Sequence, residues 1–197
     1  FGHYPQELED WFRAKGYQAP VQDGDMAEIR QAVDFVGCNY YAARVHRHDP
    51  AAGIMESAEL DMGLPVSDIG WPYEATGFHD SLQYLRSKYG PIPLYITENG
   101  ACINDLPGPD GRIHDQRRID YLRTHLASLS RAIAGGVPVR GYMAWSLLDN
   151  FEWAEGYGKR FGLVHVDFAT GRRLPKESFR WLSGVYRDGK VRTSADA

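Results

Sequence analysis

Pro93-Leu94-Tyr95-Ile96-Thr97-Glu98-Asn99-Gly100 is the stretch that decides how this chain folds. An apolar run ends abruptly in a carboxylate, an amide and a glycine. An acid that terminates a buried strand is costly unless its site uses it. Glycine permits backbone angles denied to other residues, so the chain can turn at once. Strand, then acid, then glycine is how a fold places a carboxylate at the rim of a sheet. Glu98 is therefore the first candidate for a catalytic carboxylate.

Working outward, apolar strands are expected over residues 34–41, 92–97 and 139–146. Helical patterns separate them. Phe78, Leu82, Leu85 and Tyr89 recur at spacings of 4, 3 and 4, and Gly90-Pro91 stops that helix. Ile119, Leu122, Leu126, Leu129 and Ile133 form a second stripe, with Asp115 as its N-cap and Gly135-Gly136 at its end. A last helix is expected over 176–186 with Pro175 in its first turn, and a short one over 5–14. Strand, helix, strand, helix, strand, helix implies a parallel sheet of an α/β fold, covered on its helix side. Residues 161–167 and 172–174 read as an antiparallel hairpin around Ala169-Thr170-Gly171.

The connection over 42–72 is long and without periodicity, and long loops in compact domains are usually functional or disordered. Trp71 stands near its end. The loop over 147–160 is rich in acids and aromatics. Long loops follow the strands and short ones follow the helices, which puts elaboration at the C-terminal face of the sheet.

Composition narrows the function. The 197 residues suffice for one sizeable core, with 43% hydrophobic and 24% charged residues. A net charge of -4 and no basic block argue against nucleic acid as a partner. No apolar run approaches the ~18 residues of a membrane span, so no membrane partner is expected. The two cysteines, Cys38 and Cys102, fit a reducing compartment and hence a cytoplasmic location. His46-Arg47-His48-Asp49 offers no further metal ligand and reads as a solvated loop, and the pairs Arg117-Arg118 and Arg172-Arg173 read as solvated faces.

Neighbouring strands of a parallel sheet bring their ends together. Alternation sends Asn39 and Tyr41 to one side, with Cys38 and Tyr40 to the other. Glu98 ends the second strand. Trp145 ends the third, followed by Asp149, Asn150, Glu152 and Trp153. Aromatic faces pack on the C–H faces of sugar rings, and carboxylates and amides bind hydroxyls. Such a patch suits a carbohydrate.

DFVGCNYY (34–41), PLYITENG (93–100) and RGYMAWSLLDNFEWAEGYGKRFGLVHVDF (140–168) resemble glycoside hydrolase family 1, the β-glucosidase family. The resemblance runs over about residues 2–186. It implies a (β/α)8 TIM barrel, hydrolysis of β-glucosides with retention of configuration, and no metal or organic cofactor. Glu98 resembles the catalytic nucleophile and Tyr41 the tyrosine that hydrogen-bonds it. Asn39 lines the same pocket, and Trp145, Glu152 and Trp153 match residues that hold the non-reducing sugar. Phe161 borders that pocket, and Trp71 resembles the platform for the leaving group. Relatives acting on 6-phosphorylated sugars do not keep a carboxylate at Glu152, so an unphosphorylated sugar is implied.

The departures from the pattern matter equally. Retaining hydrolysis needs two carboxyl groups roughly 5–5.5 Å apart. The family carries its acid/base glutamate in an Asn-Glu-Pro motif on an earlier strand, and no Asn-Glu-Pro occurs here. The early sugar-binding Gln, His and Trp are missing too. Residues 1–197 are therefore expected as a single partial domain, the C-terminal part (about strands 6–8) of the barrel, with a tail over 188–197. The N-terminal part of the same barrel is expected as a separate chain or segment, which the start at Phe1 fits. Three strands cannot close a barrel by themselves. Rival readings are a non-catalytic sugar-binding relative, an inactive isolated fragment, a transglycosylase, or a preference for galactosides or fucosides.

Overall fold

The computed structural model describes residues 2–191. In chain order its elements are α1 (Gln6–Ala14), α2 (Asp25–Ile29), β1 (Val36–Asn39), β2 (Val45–His48), β3 (Ser57–Leu60), α3 (Thr76–Tyr89) and β4 (Leu94–Glu98). There follow α4 (Gln116–Ala134), β5 (Val139–Tyr142), a 3-10 turn at Trp153–Glu155, β6 (Val164–Val166), β7 (Arg173–Pro175) and α5 (Glu177–Asp188). Two compact units form: Phe1–Asp34 with His46–Leu60, and Phe35–Val45 with Asp61–Ala197, each as far as it is described. Of the expected tail over 188–197, Asp188 closes α5 and residues 192–197 lie outside the described residues.

The second unit is built on a parallel sheet in the order β1-β4-β5. The middle strand explains its own position. Leu94 and Ile96 are buried and alternate with less buried Tyr95 and Thr97, so one face of β4 points into the core. Phe78 and Leu82 of α3, Leu122, Leu126 and Leu129 of α4, and Leu182 of α5 complete that core. Fully burying such a side chain is worth about 1.5–3 kcal/mol. Among the described residues β1 and β5 each pair with β4 alone, so each keeps an open outer edge.

The helical stripes hold, with exceptions at their ends. Tyr89 and Ile133 are exposed, because each lies in the last turn of its helix, past the area the core covers. Gly90, with φ of +81°, closes α3. Asp115 occupies the N-cap position of α4 but makes no capping bond. Its buried carboxylate accepts bonds from Arg118 Nη1 (2.6 Å), the Ser178 amide (2.8 Å) and the Ser178 hydroxyl. Arg118 is 1% exposed, not solvated, and also donates to Asp105 and to the carbonyls of Ile103 and Arg160. Pro175 ends β7 opposite Val164, and buried Lys176 is the N-cap of α5. The hairpin of β6 and β7 is antiparallel, as the turn signal implied.

The first unit contains α1, α2 and the sheet pairing β2 with β3. Trp11 Nε1 donates to the Ile54 carbonyl (3.1 Å), and Lys15 pairs with Glu56. The expected featureless loop over 42–72 thus contains two short strands. All four residues of β2 are exposed, so no apolar alternation marks it in the sequence. His46 bonds Ser57 Oγ (3.0 Å) and His48 lies 3.8 Å from Glu56. Among the described residues no helix is long and apolar enough to cross a membrane.

Candidate active site

The site is assembled where the three parallel strands end. Between Cys38 and Asn39 the register of β1 on β4 slips by one residue, so Asn39 lies opposite Glu98. Bulges of this kind re-aim side chains beside sites. The Tyr40 amide then donates to the Glu98 carbonyl (2.9 Å), carrying the pairing past β1. Tyr40 is buried and Cys38 half-buried against the core, as the alternation implied. Asn39 is exposed, and its Oδ1 accepts a bond from Thr97 Oγ1 (2.6 Å).

Tyr41, two residues after Asn39, donates its phenolic proton to Glu98 Oε2. Burial pushes the Tyr41 phenol far above its usual range, and the negative charges of Glu98 and Glu152 push it further, so it stays a donor. The Tyr41 ring meets Trp71 edge-on at 5.2 Å and Phe161 edge-on at 5.9 Å. Trp71 and Phe161 contact each other at 5.9 Å, closing a three-ring wall. Trp71 is itself held by Ser67, whose amide bonds the Trp71 carbonyl (2.9 Å). An open hollow of about 380 Å³ lies along Asn39, Tyr40, Tyr41, Ala42, Arg44 and Trp71. Pockets for small molecules run about 300–1,000 Å³.

Beyond β5 the chain keeps pace with β4 for three more residues. The Met143 amide bonds the Ile96 carbonyl (2.9 Å) and the Trp145 amide the Asn99 carbonyl (3.0 Å). Gly100 is not in a positive-φ conformation, so conformational freedom is not what requires it. A β-carbon there would lie 1.8 Å from the Trp145 carbonyl oxygen, and glycine is needed for that close approach. The Glu152 carboxyl is raised above its usual range, first by burial, then by the charges of Glu98 and Glu155, against a lowering bond from the Trp145 side chain. Glu98, Glu152 and Trp145 therefore share one electrostatic neighbourhood. Trp153 does not join them: it is 82% exposed.

A carboxylate with a phenolic donor, a second carboxylate and a wall of rings can hold a sugar and attack an electrophilic carbon on it. The sequence profile of Glycosyl hydrolase family 1 matches residues 1–190. The chain belongs to glycosyl hydrolase family 1. Beta-glucosidase A of Thermotoga maritima is 44% identical over 187 residues, which are 95% of this chain and 41% of that protein. The 1,4-beta-D-glucan glucohydrolase of Thermotoga neapolitana gives the same identity and coverage. The solved structure of a family 1 b-glucosidase from Thermotoga maritima superposes with a TM-score of 0.91 at 42% identity, over 98% of this chain and 42% of that one. This family 1 chain thus spans about two fifths of the length of these relatives, and its fold matches that part of the solved structure.

The candidate site of this family 1 chain also contains supports that residue type alone conceals. Asp149 is buried and takes Arg160 Nη1 (2.6 Å), Lys176 Nζ (3.3 Å) and the Gly162 amide (2.9 Å). With those partners it is a structural anchor for the loop that carries Glu152. Asn150 bonds Ser146 Oγ (3.1 Å) and the Leu148 carbonyl (3.2 Å), local contacts of the same loop.

Proposed function

We propose that this chain is the C-terminal part, with strands six to eight, of a family 1 barrel that hydrolyses β-glucosides with retention. The hydrogen bond between Tyr41 and Glu98 at the end of the middle strand carries the reading. In it Glu98 attacks the anomeric carbon, and the bond from that carbon to the leaving-group oxygen breaks. A glutamate on the N-terminal part, supplied as a separate chain or segment, protonates that oxygen. The same glutamate then takes a proton from water, whose oxygen replaces Glu98 on the sugar. Tyr41 orients Glu98 and donates to it as it leaves.

Asn39, Trp145 and Glu152 hold the sugar in this reading, and Phe161 borders it beside Tyr41. Trp71 forms the platform for the leaving group, consistent with its contact with Tyr41. Glu152 accepts sugar hydroxyls, and its carboxylate disfavours a 6-phosphate. Trp153, 82% exposed, is assigned to the sugar by the resemblance alone. The relatives' names support a β-glucoside as substrate.

The test is covalent trapping. The chain completed with the rest of its barrel is incubated with a 2-deoxy-2-fluoro β-glucoside, digested and mapped by mass spectrometry. An adduct on Glu98 is expected. An adduct on another residue, or tight binding without one, overturns the proposal.

A further inference from the structure

Behind the Tyr41–Glu98 pair lies a buried polar hub with no part in the reaction just described. Its centre is Asn99, which is 0% exposed. Asn99 Nδ2 donates to the Tyr40 carbonyl (2.7 Å) and to the Tyr121 hydroxyl (3.0 Å). Asn99 Oδ1 accepts from the Tyr142 hydroxyl (2.8 Å). Tyr121 in turn donates to the Tyr41 carbonyl (2.8 Å). One amide and two phenols thereby tie together the ends of β1, β4 and β5 and the face of α4.

Tyr121 is itself rigidly held. Its ring stacks on His125 at 3.8 Å and meets Tyr73 edge-on at 5.4 Å. Its hydroxyl accepts from Asn99 Nδ2 and donates to the Tyr41 carbonyl, so its proton has a defined direction. Tyr41 needs such a hold, because it lies beyond the last residue of β1. The preceding amide, that of Tyr40, is fixed by the Glu98 carbonyl, and the Tyr41 carbonyl is fixed by Tyr121. The backbone from which the Tyr41 phenol reaches Glu98 is therefore pinned before and after its Cα.

We infer that Tyr121 is a positioning residue for the Tyr41–Glu98 pair, setting through the Tyr41 carbonyl the approach of the Tyr41 phenol to the Glu98 carboxylate. The inference rests on the function proposed above. Tyr121 touches no substrate, and acts only on where Tyr41 stands. Small misplacements of a reacting group, of about 1 Å, cost as much as a hundredfold in rate.

A double-mutant cycle tests it. Tyr121→Phe, Tyr41→Phe and the pair are made in the completed barrel, and kcat and KM are measured on an activated aryl β-glucoside. Tyr121→Phe is expected to lower kcat about tenfold while KM stays within about twofold. In the Tyr41→Phe background the same change is expected to cost nothing further, because the phenol it positions is gone. Losses that multiply across the two sites, or an unchanged kcat in Tyr121→Phe, overturn the inference. Should Tyr121→Phe fail to fold, Tyr142→Phe, which loosens Asn99 from the β5 side, is read in the same cycle with the same two outcomes. The functional reading fails differently. Tyr41→Phe with the parent's activity removes both claims, whereas an impaired Tyr41→Phe with independent loss at Tyr121 removes only the positioning role.

Discussion

Gly100 and Trp145 press against each other so closely that a methyl at position 100 would lie 1.8 Å from the Trp145 carbonyl oxygen and 2.9 Å from its carbonyl carbon. The obstacle is backbone and cannot rotate away. The contact fixes the distance between the residue after Asn99 and the start of the loop that carries Glu152. Gly100→Ala must displace one strand end from the other. The expected cost is at the upper end of overpacking losses, about 3 kcal/mol. Urea denaturation of the completed protein measures it, and an unchanged midpoint would show that the strand ends tolerate separation.

Glu152 supplies a second expectation. Burial, with Glu98 and Glu155, raises its carboxyl above the usual range. Under the proposed function a protonated Glu152 would accept sugar hydroxyls less well, so KM for a glucoside should rise as pH falls through that raised range. Glu152→Gln should raise KM about ten- to a hundredfold and remove its dependence on pH in that region. Steady-state KM from pH 4 to 8 for both proteins is the measurement. A Glu152→Gln protein that keeps the parent's pH dependence would place the titration elsewhere.

The parts of this fold that could be read in the sequence are those where burial imposes a period. Leu94 and Ile96 alternate into the core, and Phe78 and Leu82 or Leu122, Leu126 and Leu129 mark one helix face. The strand β2 could not be read, because Val45, His46, Arg47 and His48 are all exposed and nothing selects their order. Charge misleads in the same way. Arg118 and Lys176 look like surface residues but are buried among Asp105, Asp115 and Asp149. Partners from distant parts of the chain decide that, and local pattern holds no trace of them. At the site, Glu98 and Tyr41 were visible as types at strand ends. Asn99 was visible only as an amide beside a turn; its link to Tyr121, 22 positions on, belongs to tertiary structure.

His125 makes stability depend on pH. It is buried, its Nδ1 bonds the Tyr121 carbonyl (2.8 Å), and its Nε2 has no hydrogen-bond partner among the described residues. Burial lowers its pKa to about 4. Between about 4 and 6.5 the unfolded chain binds the proton and the folded protein does not, so stability falls as pH falls through that window. The loss from pH 7 to pH 5 should be about 2 kcal/mol. His125→Gln keeps a donor for the Tyr121 carbonyl but does not titrate, and should flatten the dependence by that amount. Denaturant midpoints at the two pH values decide, and parallel losses in both proteins would assign the effect to other groups.

Asp149 is the anchor whose removal should show the largest effect. It is the buried counter-charge to both Arg160 Nη1 and Lys176 Nζ. Lys176 is fully buried, and that burial, helped by Arg118, lowers its pKa to about 8. Asp149→Asn conserves shape but leaves two cations without their carboxylate, which should cost roughly 3–5 kcal/mol at pH 7. Lys176 can shed its charge, and Arg160 cannot. The folded variant should therefore lose the Lys176 proton at lower pH than the folded parent does, and so fall further below the unfolded chain in protons bound. More protons on the unfolded chain means stability rising with pH, so the deficit of Asp149→Asn should narrow between pH 7 and pH 9.5. Adding Lys176→Met should recover part of the loss at pH 7 and remove that narrowing. Urea midpoints of the parent, the single and the double variant across this range give the comparison. A deficit that stays constant with pH would mean that the charge on Lys176 does not depend on Asp149.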